Sequence, residues 1–261
     1  DDVLLHRKTL SDANFGKRLG ALSRLATGNA EIAVIPAEGV MQYLPNAAKF
    51  RKAHLTIMKE GEYPPDDVAE KLVKAGYTRS EIATEKGTFS LRGDILDVYP
   101  PSFDLPVRIN YFDDIVENVK YFDPSTMESV GETGHVVIPP ATDVLLDREE
   151  AEGITAKLRK TKTSGAVNDI IEDVSGKLEL DPTDPSLVWI TPFISDKSVV
   201  FDYLPRDATV VIDEPKITFD KLELIEKEHA GRVKAFVEGG EALPAHKDAM
   251  LTRADVSTYV R

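Results

Sequence analysis

The fold class that this sequence predicts is α/β plus α+β: α/β segments on either side of a small α+β module with an antiparallel sheet. Three observations predict it. Helix-period and strand-period segments alternate up to residue 76; strand-like runs then follow one another from Tyr77 to Phe122 with only turns between them; and apolar runs alternating with helical stretches return after His135.

In FGKRLGALSRLATG, Phe15, Leu19, Leu22 and Leu25 recur at helical spacing and Gly28 supplies a stop. EIAVIP (31–36) is a β-branched run ended by proline and is expected as a buried strand. AEGVMQYLP follows as a short amphipathic segment ended by Pro45. AHLTIMKEGEYPP returns to a strand, and PPDDVAEKLVKAG carries the punctuation of a helix: proline and acids at its start, apolar Val68, Leu72 and Val73, a glycine at its end.

From Tyr77 the expected strands are YTRSEIA, GTFSLRGDILDVYP, VRINYF and IVENVKYF, with Asp113-Asp114 as a hairpin tip. In VRINYF, alternation puts Val107, Ile109 and Tyr111 on one face and Arg108, Asn110 and Phe112 on the other. Pro124 closes the series, and HVVIPPA opens a different segment. Residues 147–187 read as one or two surface helices and a loop. LVWITPFI, SVVFDYLP and ATVVIDEP are short apolar runs, and Phe219–Phe236 has helical spacing.

Composition narrows the function classes. At 42% hydrophobic and 30% charged the chain is of soluble globular type, and no apolar run approaches the ~18–20 residues of a membrane helix. A cytoplasmic setting is expected. There is no cysteine, which excludes disulfides, thiolate metal sites and cysteine nucleophiles, and the five histidines fall at no metal-ligand spacing. A net charge of −13 repels phosphate backbones, which counts against a DNA-binding module. Asp1-Asp2 open the chain with no methionine or signal-like stretch, which reads as mid-domain material from a longer protein.

VVIDEP (210–215) is four strand-like positions ending in two carboxylates, Asp213 and Glu214, the way a Walker B element places acids beside magnesium and an attacking water. Its partner is missing. Gly16-Lys17 and Gly176-Lys177 are followed by Arg and Leu, so no G-x-x-x-x-G-K-[ST] cradle exists, and no serine stands in G-x-S-x-G. No catalytic residue and no metal or cofactor ligand is assigned.

Arg79, Arg92 and Arg108 lie in three successive strand segments of the small module. On one exposed face they would form a guanidinium cluster suited to carboxylates at an interface. Paired instead with Glu81, Asp94 or Glu117, they would be ordinary solvated ion pairs worth ~0–1 kcal/mol each. Spacing leaves both readings open.

The ordered series Y-x-R, G-x-F-x-x-R-G-D-I-L-D-V-Y-P, V-R-I-x-Y-F-D-D and F-D-P-x-T over residues 77–126 resembles the UvrA-binding domain shared by the excision-repair protein UvrB and the transcription-repair coupling factor (Mfd). RLGALSRLATGNAEIAVIPAEGVMQYLP before it, and HVVIPPATDVLL and FDYLPRDATVVIDEP after it, resemble the halves of a helicase-like domain. The DEP ending and LVWITPFISDKSVV are more similar to the coupling factor than to UvrB. The resemblance implies a degenerate UvrB/helicase-like α/β domain split by an inserted small α+β domain: residues 1–57 as the C-terminal part of domain 1a, 58–132 as the UvrA-binding α+β domain and 133–261 as domain 1b. It implies a non-catalytic adaptor that recruits UvrA to RNA polymerase stalled at DNA damage. RNA polymerase and DNA would be bound through other regions, and ATP and magnesium used by a downstream translocase motor. The implied UvrA-contacting positions are Arg79, Arg92 and Arg108, with Ser90, Asp94 and Asn110 completing the set. Ser90 and Asn110 depart from UvrB, which commonly has arginine and glutamate there. The alternative is a piece of UvrB itself, acting in ATP-dependent damage recognition.

Overall fold

Pro65, standing at the first turn with Asp66 and Asp67 beside it and Lys71 and Lys74 in the last turn, starts and polarises a helix as the sequence predicts. That helix lies in a computed structural model that describes residues 13–161, 163 and 165–260; the first twelve residues of the expected 1–57 segment lie outside the described residues. In chain order the elements are α1 (Ala13–Ala26), α2 (Ala37–Val40), β1 (Leu44–Pro45), α3 (Ala47–Lys52), β2 (Leu55–Met58), α4 (Pro65–Lys74), β3 (Thr78–Arg79), β4 (Thr88–Arg92), β5 (Ile95–Tyr99), β6 (Val107–Phe112), β7 (Ile115–Phe122), β8 (Ser129–Thr133), β9 (His135–Ile138), α5 (Arg148–Lys160), α6 (Ala166–Leu180), β10 (Lys197–Ser198), α7 (Pro215–Glu238) and α8 (Arg253–Tyr259). The fold is mixed α/β, with a six-stranded, mostly antiparallel sheet and two small two-stranded ones.

The chain divides into two compact units. One comprises residues 13–27 and 48–145 and holds the large sheet, in the order β3-β4-β5-β6-β7-β8, with only the β3–β4 pair parallel. Alternation sends Phe89, Leu96, Val98, Val107, Ile109, Tyr111, Val116 and Val119 to one face, where Val68, Ala69 and Leu72 of α4 cover them. Val73, expected with them, is exposed. Gly76 ends α4 at φ +86, and the Tyr77 hydroxyl donates to the Pro139 carbonyl at 2.7 Å. Strand β9 pairs antiparallel with β2, whose chain then runs along β7 through hydrogen bonds such as Val116 N–H to the Gly61 carbonyl. In α1, Phe15, Leu19 and Leu22 are buried as the spacing predicts, and Gly28 follows at φ +72.

GTFSLRGDILDVYP is not one strand but a hairpin. Arg92 pairs with Ile95 across a two-residue turn, Gly93-Asp94. Gly93 has φ +58 at the first central position, the glycine preference of a II′ turn. The Asp113-Asp114 tip forms as expected, and Asp113 takes φ +52 in place of a glycine.

The other unit comprises residues 28–47 and 146–260. Residues 147–187 hold two helices, α5 and α6, packed on each other with buried Ile154 and Leu158 against Ile171, Val174 and Leu178. LVWITPFI is a buried 3-10 stretch rather than a strand. An apolar cluster joins Met41, Val199, Leu222, Ile225, Met250, Leu251 and Val256.

Two expectations fail in this unit. EIAVIP forms no strand: Ile32 and Val34 are 86% and 93% exposed. VVIDEP forms none either, with Val211 83% exposed. Their β propensity is intact, but a strand exists only by hydrogen bonding to a neighbour, and none pairs with either run among the described residues. Both runs lead into the helices α2 and α7, which pack together and share the Lys221–Glu38 ion pair at 3.1 Å.

Candidate functional site

The face of the large sheet that α4 does not cover is polar, and its centre is one acid. Alternation in ILDVY puts Asp97 opposite in direction to Leu96 and Val98, and register places it between Ser90 of β4 and Arg108 of β6. Asp97 is fully buried. An unpaired carboxylate there would be costly, and this one accepts three charged hydrogen bonds. Arg108 donates from Nε to Oδ1 at 2.7 Å and from Nη2 to Oδ2 at 2.9 Å, a bidentate pair; Arg92 donates from Nη2 to the same Oδ2 at 3.1 Å.

The two arginines are not equivalent. The Arg108 guanidinium lies over the Phe122 ring at 4.7 Å and its side chain is 22% exposed. Its hydrogen bonds to Asp97 hold its pKa above the ordinary guanidinium value. Arg92 ends β4 beside the Gly93 turn, and its side chain is 48% exposed. One of its five N–H groups is committed to Asp97, and the other four make no hydrogen bond among the described residues.

The remaining expected positions fall as follows. Ser90 is buried, and its hydroxyl donates to the Glu81 carbonyl at 2.8 Å, pinning the 80–84 loop over the sheet. Asn110 donates to Asn118 across the β6–β7 pair at 2.5 Å, and Phe112, one step further on the same face, is exposed. Asp94 is exposed in the turn and its carbonyl accepts from Tyr111 N–H at 2.8 Å. Arg79 is exposed on β3 opposite Phe89, away from the Asp97 cluster, and makes no ion pair among the described residues.

The acid that joins Arg92 and Arg108 is therefore Asp97, rather than Glu81, Asp94 or Glu117. Sequence reasoning passed over it, although a carboxylate flanked by Ile95, Leu96, Val98 and Tyr99 was the available signal. Asp213 and Glu214 are exposed in irregular chain, Glu214 at φ +43 in the N-cap position of α7 without a side-chain capping bond among the described residues. Among the described residues no cluster of three or more His, Cys, Asp or Glu could hold a metal ion, and no helix is long and apolar enough to cross a membrane.

Comparison with known proteins places this face in context. Residues 55–143, which include every strand of the large sheet, match the family model of the UvrB interaction domain. The chain is 28% identical over 239 residues to the transcription-repair-coupling factor of Bacillus subtilis, covering 87% of this chain and 20% of that protein. To the Myxococcus xanthus coupling factor it is 31% identical over 230 residues, covering 82% and 19%. To UvrABC system protein B of Bacillus licheniformis it is 25% identical over 272 residues, covering 91% and 40%. The chain thus spans about a fifth of the length of the coupling factors it matches. Residues 55–143 are a UvrB interaction domain, set in a chain that is homologous over most of its length to transcription-repair-coupling factors and to a region of UvrABC system protein B.

Proposed function

We propose that this chain is the non-catalytic adaptor region of a transcription-coupled excision-repair factor, and that the polar face of its large sheet recruits UvrA to RNA polymerase stalled at DNA damage. In this reading 58–132 is the UvrA-binding domain, and 1–57 with 133–261 are the parts of a degenerate helicase-like domain. Arg92 is the leading contact, with Asp94, Arg108 and Asn110 beside it on this face, Ser90 buried behind them, and Arg79 at the β3 edge in register with Phe89 completing the set. ATP and magnesium act in motor domains elsewhere in the longer protein, and this region binds neither. Asp213 and Glu214 are the remnant of a nucleotide element without its phosphate cradle.

The observation that carries the reading is Arg92 itself: a half-exposed guanidinium anchored to a buried acid, with free N–H groups, inside a UvrB interaction domain. Such a group suits an acidic partner surface. The test is calorimetry of the chain with purified UvrA at moderate salt, with Arg92→Glu alongside. The variant is expected to lose ~2–5 kcal/mol of binding, as for a desolvated charge pair, with its circular dichroism unchanged. Unchanged affinity sinks the assignment of Arg92. Hydrolysis of ATP by the chain, or its thermal stabilisation by ATP with magnesium, would favour the UvrB alternative.

A further inference from the structure

We propose that Asp97 is the positioning residue of this face: from the middle of the sheet it holds Arg92 in a fixed pose, with Arg108 as its brace, so that the uncommitted N–H groups of Arg92 meet a partner carboxylate already aimed. This deepens the proposed function and rests on it for the identity of the partner.

The argument begins with burial. A carboxylate at zero exposure in a strand interior has no solvation to fall back on, so its hydrogen-bond demand is met by the two neighbouring strands or not at all. Arg108 meets most of it. Its bidentate grip on both oxygens and its seat over Phe122 fix the plane of the Asp97 carboxylate. Oδ2 is then presented toward the turn, where Arg92 reaches it at 3.1 Å. Arg92 is the one member of the trio whose side chain combines this tether with large exposure.

A tethered arginine binds more tightly than a loose one because ordering it is already done. Freezing a rotamer-rich side chain at an interface weakens binding by about three- to tenfold. Arg79 supplies the contrast within the same sheet: an exposed arginine on the edge strand, without an ion pair among the described residues. Asp97 also subtracts charge from the face, so its two effects separate kinetically. Removing it raises the net positive charge that steers association while freeing Arg92 to wander, which shortens the complex lifetime.

The experiment has two arms. In the unaltered chain without partner, nuclear magnetic resonance of the arginine Nε–H groups is expected to give high order for Arg92 and Arg108 and low order for Arg79. Equal mobility of Arg92 and Arg79 overturns the proposal, whether or not UvrA binds. In the second arm Asp97→Asn, checked for folding by circular dichroism, is expected to raise the UvrA dissociation rate about tenfold with association unchanged or faster. The same substitution made on top of Arg92→Ala is expected to leave the dissociation rate unchanged, with any effect of the added charge confined to association. Additive effects in that cycle overturn the proposal, because a merely structural Asp97 would weaken binding in either background. Ordered Arg92 with no UvrA binding by the folded wild-type chain would refute the proposed partner and leave the positioning role standing.

Discussion

Replacing Arg108 by alanine takes away two of the three hydrogen bonds that Asp97 accepts, and the cation–ring contact with Phe122 at 4.7 Å. The acid is left with the single 3.1 Å bond from Arg92. Stripping one partner from a buried ion pair costs ~3–5 kcal/mol when the pair is dry. Arg108 is 22% exposed and Arg92 remains, so a cost just below that range, about 2–3 kcal/mol, is expected. Arg92→Ala removes one longer bond from a side chain that is 48% exposed, and about 0–1 kcal/mol is expected. The two arginines should therefore rank in opposite order for stability and for UvrA affinity. Urea unfolding followed by circular dichroism, with amide hydrogen exchange of β5 and β6 to localise the loss, measures the first ranking. Equal costs for the two variants, or less than about 1 kcal/mol for Arg108→Ala, would refute the view that Arg108 braces Asp97.

Three further expectations can be checked on the same chain. The Tyr111 hydroxyl is buried without a hydrogen-bond partner among the described residues, so Tyr111→Phe should leave thermal stability unchanged or raise it, by up to about 1 kcal/mol; a marked loss would reveal a partner for that oxygen. Gly76 and Gly93 both have positive φ, but a Cβ at Gly76 would meet Thr142 Cγ2 at 2.4 Å whereas one at Gly93 meets nothing within 4 Å among the described residues. Gly93→Ala should cost about 1–2 kcal/mol, from backbone strain alone, and Gly76→Ala clearly more; equal urea midpoints would contradict the packing around Thr142. His229 and His246 are buried, and burial holds the pKa of each below the ordinary imidazole value. The unfolded chain then binds protons first as pH falls below ~6.5, so this unit should lose stability on acidification. The loss should be no steeper than ~1.4 kcal/mol per pH unit for each histidine. Trp189, the single tryptophan, has its ring centroid 4.5 Å from that of His246, so its fluorescence reports the urea midpoint at pH 7.5 and 5.5. An unchanged midpoint would contradict the burial.

Where local signals and pairing agree, the sequence was readable. The start and end of α4, the buried stripe of α1 and the two faces of VRINYF each follow from periodicity and punctuation that the structure keeps. Arg92-Gly93-Asp94-Ile95 was harder. Expected as the interior of one strand, it is the turn between two five-residue strands, a distinction that rests on register. Asp97 was hidden by the same alternation that revealed the arginines, because period two gives the face of a residue and not its depth. EIAVIP and VVIDEP show the limit of propensity, since a strand needs a partner that a local window does not contain. LVWITPFI, an apolar run too short to separate helix from strand by period, carries Pro192 and resolves as 3-10 turns.

Those two bare runs have a consequence for how the chain behaves as a solute. Ile32 and Val34 on one, Val210 and Val211 on the other, present β-branched side chains beside backbone amides that no strand among the described residues engages, the geometry from which intermolecular β association grows. Glu31 and the Asp213-Glu214 pair flank them with negative charge, in a chain already at −13, and act as electrostatic gatekeepers. Colloidal stability at these edges therefore depends on repulsion, and it weakens as salt screens the charge or as acid neutralises it.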